Sequence, residues 1–256
     1  MTDEKKSVLY SVNRAIARLT LNRPEKRNAL NETVIDDLKQ GLRQADSDQT
    51  MHVVVISGAG PDFCSGADLT ALRKISGASV EENVDDARSL MELFVMMRNM
   101  RLPIIAAVRG RALAGGCGLA TACDIVLASS SARFGYPEVK IGFVPAMVMA
   151  ILRRNVSEKR AFELISRGAE INAAAAERIG LINHVFSDET FDSEVEAYAR
   201  AFEKVSASAV ALAKKLLYQM DGMAFVEAVQ AGVDVNAIAR MNEDCREGIA
   251  RFLKRQ

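Results

Sequence analysis

Twice in this chain an apolar run leads into a loop of small residues and then into a helical pattern, at residues 53–72 and again at 104–122. Val53 to Ile56 and Ile104 to Val108 are unbroken apolar stretches, the type of strand buried on both faces. The loop after the first reads Ala59-Gly60-Pro61-Asp62-Phe63-Cys64-Ser65-Gly66-Ala67-Asp68-Leu69, and the second is carried by Ala114-Gly115-Gly116. Strand, loop and helix repeated in this way restrict the chain to a layered α/β architecture. The repeat is one of topology, without a fixed sequence period.

The flanking segments agree. Val8 to Val12 and Ala15 to Leu21 alternate and are predicted to pair as a hairpin across Asn13-Arg14. Residues 25–30 read as a polar loop, and Asn31 caps a helix whose apolar face is Val34, Ile35, Leu38 and Leu42. Residues 76–86 are polar and bear Gly and Ser, so they are expected to be mobile. Leu90, Leu93, Phe94 and Met97 line a helix that Pro103 ends. Ile125 to Ala128 and Ala132 to Phe134 are predicted strands. Ser157 is the expected cap of a further helix, Gly180 stops an alanine-rich one at 173–179, and Leu181 to Phe186 is the last strand. From Asp188 onward every pattern is helical and no proline occurs. The expected organisation is an α/β core over 1–187 and a helical region over 188–256. That region must cover its apolar faces on the core or on another subunit.

Lys+Arg 33 balances Asp+Glu 33, which gives no basic field for nucleic acid or an anionic membrane. Arg153-Arg154 and Lys214-Lys215 are read as solvated helix faces. The longest apolar run, Phe143 to Leu152, is too short to span a bilayer, and the N-terminus lacks a secretory pattern. A cytoplasmic protein is expected, with a mitochondrial matrix location as the alternative. Cys64, Cys117, Cys123 and Cys245 show no CxxC spacing and are read as reduced, packed thiols, with no metal site. His52 and His184 each flank a β-branched run, so no Ser-His or Cys-His triad is expected.

The stretch Arg109 to Glu138 carries the chemistry. It has the glycine pair Gly115-Gly116, a small-residue segment and a carboxylate, Glu138, beside Pro137. It lacks the Lys-Ser/Thr of a P-loop, the GxGxxG of a dinucleotide turn and a GxSxG elbow. One N–H from each small-residue loop converging on one oxygen would make an oxyanion hole. The same residues would also serve tight strand–helix packing, and both readings are open on pattern alone.

The stretches LNRPEKRNALN, FCSGADL, ALAGGCGLATACDIVLA, FGYPEVKIGFVP and GLINHVF resemble, in order and spacing, the enoyl-CoA hydratase/isomerase (crotonase) superfamily over nearly the whole chain. The resemblance implies a crotonase-like α/β spiral of repeated strand-strand-helix units with a C-terminal helical trimerisation region, hence a homotrimer or a dimer of trimers. It implies an acyl-CoA substrate and no cofactor beyond the coenzyme A of that substrate. Carried over by position, the oxyanion donors are Ala67 and Gly115. The segment Ala67, Asp68, Leu69 and Thr70 lies against CoA, and the loop of Lys26, Arg27 and Ala29 lies near its adenine and phosphates. Glu138 matches a catalytic glutamate.

One departure bears on the reaction. Family hydratases carry a second glutamate, which would fall at Gly118, because the sequence reads Gly-Gly-Cys-Gly. Syn addition of water needs one group to activate the water and one to deliver a proton. The aspartate used by some dienoyl-CoA and ring isomerases would fall at Ala146. A lone Glu138 under an oxyanion hole suffices for a 1,3-proton shift, so double-bond isomerisation is the expected activity. The alternatives are hydration, short-chain or methylglutaconyl-type, with a substituted water-activating group, and a catalytically inactive acyl-CoA-binding oligomer.

Overall fold

The computed structural model describes residues 6–254. Strands β1 (Val8–Asn13) and β2 (Ile16–Leu21) form the expected antiparallel hairpin, with Val8 opposite Leu21. After β2 come β3 (Val53–Gly58), β4 (Ile104–Val108), β6 (Ile125–Ser129) and β9 (His184–Phe186), all parallel, in a six-stranded sheet of order β1-β2-β3-β4-β6-β9. The continuous Val/Ile/Ala runs of β3 and β4 fit because both sheet faces are covered. Leu19, Val54, Ile56, Ile104 and Ala106 face one apolar cluster, and Ile16, Val53, Val55 and Ile105 face the other.

A smaller sheet stands beside it: β5 (Arg111–Leu113), β7 (Arg133–Gly135) and β8 (Ile171–Asn172), with β5 and β7 parallel and β8 antiparallel. Single parallel bridges, Leu30 to Ala67 and Cys64 to Ala112, continue its line. Each turn of the chain therefore lays a strand in the large sheet, then a short strand or bridge in the small one, then a helix. These helices are α1 (Glu32–Ser47), α2 (Leu69–Gly77), α3 (Val80–Asn99), α4 (Gly115–Ala122), α5 (Ala146–Asn155), α6 (Glu158–Arg167) and α7 (Ala173–Arg178). This is the spiral of strand-strand-helix units that the sequence implies. Ala67, Gly115 and Glu138 occupy equivalent places in three successive turns, each just after the small-sheet segment.

Four helices follow: α8 (Phe191–Arg200), α9 (Ala207–Gln219), α10 (Phe225–Met241) and α11 (Glu243–Leu253). Phe191, Val195 and Ala199 of α8 cover the second face of the large sheet, so the core continues past residue 187. The α9 helix is locked onto the core by Lys214. Read in the sequence as a solvated residue, Lys214 is only 7% exposed, and its Nζ donates to Met97 O (2.9 Å), Leu102 O (2.8 Å) and Asp124 Oδ2 (2.7 Å). Burial pulls this ammonium below its ordinary pKa, and Asp124 opposes the shift. The α10 and α11 helices expose Phe225, Val229, Val233, Ile249 and Phe252.

Two further expectations are corrected. Residues 80–86 are the first turns of α3, because Ser79 and Glu82 close a reciprocal capping box at its N-terminus. Leu181 to Asn183 bend before β9, since only residues 184–186 pair with β6. Ser157 does sit at the N-cap of α6, without a side-chain capping bond. Asn31 caps α1 as expected, its side chain accepting from Val34 N–H at 3.0 Å.

Candidate active site

Between β2 and α1 the chain makes a 3-10 turn, Pro24–Lys26, where a plain loop was expected. Arg27 (φ 49°) and Asn28 (φ 54°) follow in the left-handed region, which asparagine tolerates better than most residues. Asn28 is 1% exposed, and its side chain is a clasp. It accepts from Arg23 N–H (2.9 Å) and donates to Ala59 O (2.9 Å) and Asp62 O (2.8 Å). The loop after β3 is thereby fixed to the loop after β2. Leu30 N–H donates to Gly66 O (2.7 Å), Asp68 N–H donates to Leu30 O (3.0 Å), and Ser65 N–H donates to Arg27 O (3.0 Å). On the other side Cys64 N–H donates to Arg111 O (3.0 Å), and Leu113 N–H donates to Cys64 O (2.9 Å).

Among the described residues, the N–H groups of Ala67 and Gly115 take no part in this stitching. The parallel bridge pairs both neighbours of Ala67 and turns its own N–H away from Leu30. Gly115 is the first residue of α4, where an N–H has no partner within the helix and the positive end of the helix dipole lies. The two loops touch. A Cβ placed on Gly66 would stand 2.7 Å from Ala114 Cβ and 3.6 Å from Gly115 N. Gly116 is packed tighter still, with Cys64 O 2.2 Å from where its Cβ would be. Ala114 takes φ 51° and ψ −128°, a strained backbone for a residue with a Cβ. Ala114 N–H donating to Gly135 O (2.9 Å) and Gly118 N–H donating to Ala114 O (3.0 Å) hold it there. Small residues here let the two loops pack closely against each other.

Glu138 enters from the next turn of the spiral. Pro137 opens the 3-10 segment Pro137–Ile141, and Phe143 N–H donates to Glu138 O at 3.0 Å. The preceding residue, Tyr136, is fully buried with its hydroxyl 3.3 Å from Thr121 Oγ1, which ties this segment to α4. Glu138 is half-buried, and its Oε2 is buried without a hydrogen-bond partner among the described residues. Desolvation raises the Glu138 carboxyl above its ordinary pKa, against a smaller opposing hydrogen bond from its own backbone N–H. Burial also pushes the Cys117 thiol, two residues past Gly115, up to about 12, and the Glu138 charge adds to that shift. The carboxylate is thus within electrostatic reach of the first turn of α4. Glu203 Oε1 is also buried and unpartnered, but it belongs to the chain after α8, where Glu203 Oε2 lies 3.9 Å from Arg14.

Gly118, one turn into α4, faces no opening. A Cβ there would lie 2.2 Å from Val148 Cγ1, 3.2 Å from Val148 Cβ and 3.6 Å from Phe94 Cζ. The space a carboxylate at 118 would need is filled by the buried side chain of Val148.

The remaining candidates divide by what their groups are doing. Lys26 and Arg27 are exposed and unpaired among the described residues, on the rim beside the Ala67 loop. Ala29 is buried, and its carbonyl accepts from Arg23 Nη1 at 2.9 Å. The Asp68 carboxylate is engaged: it accepts from Thr70 N–H (2.8 Å) as the cap of α2, and from Arg23 Nη2 (2.6 Å). Burial would raise the Asp68 pKa, but these partners outweigh it and leave the carboxyl below the ordinary value. Asp68 therefore shapes the Ala67 loop. Thr70 is exposed; Leu69 begins α2, and its side chain lies outside the described structure. Asn28 and Arg23 were not singled out in the sequence, although an asparagine at a turn after Arg is a signal for the left-handed region. Phe94 was read only as part of a helix's apolar face and Val148 only as part of an apolar run, since their importance here depends on how α3, α4 and α5 pack.

A cavity of about 320 Å³ lies further along α4, between α3, α5 and α9, lined by Phe94, Thr121, Ile151, Arg98, Arg154 and Asp221 among others. Neither Ala67 nor Gly115 lines it. Among the described residues no group of three or more His, Cys, Asp or Glu side chains is placed to hold a metal, and no helix is long and apolar enough to cross a membrane.

The enoyl-CoA hydratase/isomerase family model matches residues 11–256. A Thermus thermophilus protein provisionally named an enoyl-CoA hydratase is 38% identical over 241 residues, 94% of this chain and 95% of its own length. The 2,3-dehydroadipyl-CoA hydratase of Escherichia coli K12 is 34% identical over 251 residues, 97% of this chain and 96% of the relative. The crystal structure of an enoyl-CoA hydratase from Mycobacterium smegmatis superposes with a TM-score of 0.94 at 29% identity, covering 98% of each chain. The chain belongs to the enoyl-CoA hydratase/isomerase family of enzymes.

Proposed function

We propose that this enzyme shifts the double bond of an enoyl-CoA by a 1,3-proton transfer through Glu138. The filled space at Gly118 carries this reading: with Val148 Cγ1 2.2 Å from any Cβ there, the site has no room for a second acid on α4. The thioester oxygen of a 3-enoyl-CoA accepts hydrogen bonds from Ala67 and Gly115 N–H. The Glu138 carboxylate takes a proton from C2, and the electron pair moves onto the thioester oxygen to give a dienolate. The two backbone donors and the α4 dipole stabilise that charge. Glu138 returns the proton to C4, and the double bond ends between C2 and C3. The chemistry is redox-neutral and needs no cofactor beyond the CoA of the substrate. A raised Glu138 pKa suits both halves, since the group must accept and then give up one proton near neutral pH.

Hydration is the second reading, favoured by the hydratase names of the relatives. The two are separated by measuring 3-to-2 isomerisation of a 3-enoyl-CoA against water addition to a 2-enoyl-CoA. Isomerisation is expected to dominate kcat/KM by at least about tenfold; dominant hydration would sink the proposal.

Lys26 and Arg27, exposed on the rim, supply charge for the CoA phosphates. Replacing both with Ala is expected to raise KM about three- to tenfold at low salt with kcat unchanged, and the difference should shrink in high salt. Steady-state kinetics at two ionic strengths checks this. Assembly as a homotrimer, or a dimer of trimers, through α10 and α11 would cover their exposed Phe225, Val229, Val233, Ile249 and Phe252.

A further inference from the structure

We propose that Val148, backed by Phe94, is a specificity-determining water barrier between the enolate site and the polar cavity behind it. The inference rests on the enolate chemistry proposed above. Three helices frame it. On α4, Gly115 is the first residue, Gly118 lies one turn on, and Thr121 one turn further lines the cavity. On α5, Val148 fills the space at Gly118, and Ile151, one turn on, lines the cavity. On α3, Phe94 does both: its ring edge is 3.6 Å from the Cβ position of Gly118, and it also lines the cavity. Val148 and Phe94 thus occupy the layer between the two spaces.

The cavity side is polar. Arg98 and Arg154 both pair with Asp221, Arg154 at 2.7 Å, and Asn155 and Asp124 complete that wall. A space of about 320 Å³ with such a lining has both the room and the partners for ordered water. The site side is apolar at Gly118, because Val148 is 3% exposed and presents only methyl groups. Cavity water held back at this layer does not reach C3 of the bound dienolate or the protonated Glu138 from behind α4. The proton taken from C2 then stays on Glu138 until it is delivered to C4, and the addition of water across C2 and C3 is suppressed. The side chain at 148 acts through water, without touching the transferred proton.

Turnover in D2O tests this. Wild-type enzyme is expected to return mostly substrate-derived hydrogen to C4, read as low deuterium content in the 2-enoyl product by mass spectrometry. Val148→Ala removes two methyl groups, enough for a water at Gly118, and is expected to raise deuterium incorporation about fivefold and to make water addition measurable. Phe94→Leu should move both readouts the same way by less. Melting temperature confirms that the variants are folded. Deuterium content already complete in the wild type, or unchanged in folded Val148→Ala, would overturn the barrier. If the wild type does not isomerise, the reading of the reaction has failed separately. The barrier is then read from solvent exchange of the C2 hydrogens of a saturated acyl-CoA, where equal rates in wild type and Val148→Ala would overturn it.

Discussion

Glu138→Gln is expected to bind enoyl-CoA normally and to lose about a thousandfold or more in isomerisation kcat. The amide keeps the shape of the side chain but can neither take the C2 proton nor deliver it to C4. KM should change little, because the CoA contacts and the two oxyanion donors remain. A loss below tenfold would show that another group moves the proton. The pH dependence follows from the same carboxyl. Burial raises its pKa above the ordinary glutamate value, and the reaction starts from the carboxylate. The acid limb of kcat/KM should therefore fall at a pH above the usual glutamate range, and activity should rise with pH through that point. Stability moves oppositely. A carboxyl with a raised pKa binds its proton more tightly folded than unfolded, so its contribution to stability is present below the unfolded pKa and is lost as pH rises through the folded one. Above that window the wild type holds a desolvated charge with one unpartnered oxygen. Glu138→Gln should then melt about 1–3 °C higher than the wild type at alkaline pH, with a smaller gap under acid conditions.

How much of this was legible in the sequence depends on what each feature requires. Strands β3 and β4 could be read directly, because burial on both faces demands the unbroken Val/Ile/Ala runs that the chain shows. The N-cap at Asn31 and the stop at Gly180 are local chemistry and were equally visible. The start of α3 was not, because polar residues that look like a loop also form a capping box when Ser and Glu stand three apart. Lys214 misled for a related reason. A lysine in a helical pattern looks solvated unless one knows that Asp124 and two carbonyls wait at the helix–core interface. In the site, the identity of the donors came with the family resemblance, but their availability is a property of the fold. Ala67 N–H is free because Leu30 pairs with its neighbours, and Gly115 N–H is free because a helix begins there. The absence of a carboxylate at 118 was plain in the sequence. That Val148 had taken its place was not, since no spacing rule links residues 118 and 148.

The oxyanion hole can be tested by moving a donor without deleting it. Gly66 has φ 99°, a conformation alanine rarely adopts, and its Cβ would lie 2.7 Å from Ala114 Cβ and 3.1 Å from Leu113 O. Neither neighbour can yield easily, because Ala114 is itself held in a strained conformation between Gly135 O and Gly118 N–H. Gly66→Ala must therefore shift the 65–68 loop, and Ala67 N–H moves with it. Mislaying one donor of an oxyanion hole costs about a hundred- to thousandfold in kcat. The strain should lower stability by about 1–3 kcal/mol, so the protein should remain folded at room temperature. Gly115→Ala is the contrasting variant. Its Cβ would meet only Leu30 Cδ1, at an ordinary 3.4 Å, and its N–H stays at the start of α4. That variant should keep kcat within about tenfold of wild type, although it adds the same methyl group to the same site. If Gly66→Ala stayed within about threefold of wild type, Ala67 would not be a donor to the enolate. If both variants lost activity equally, crowding of the acyl group, and not donor geometry, would account for the loss.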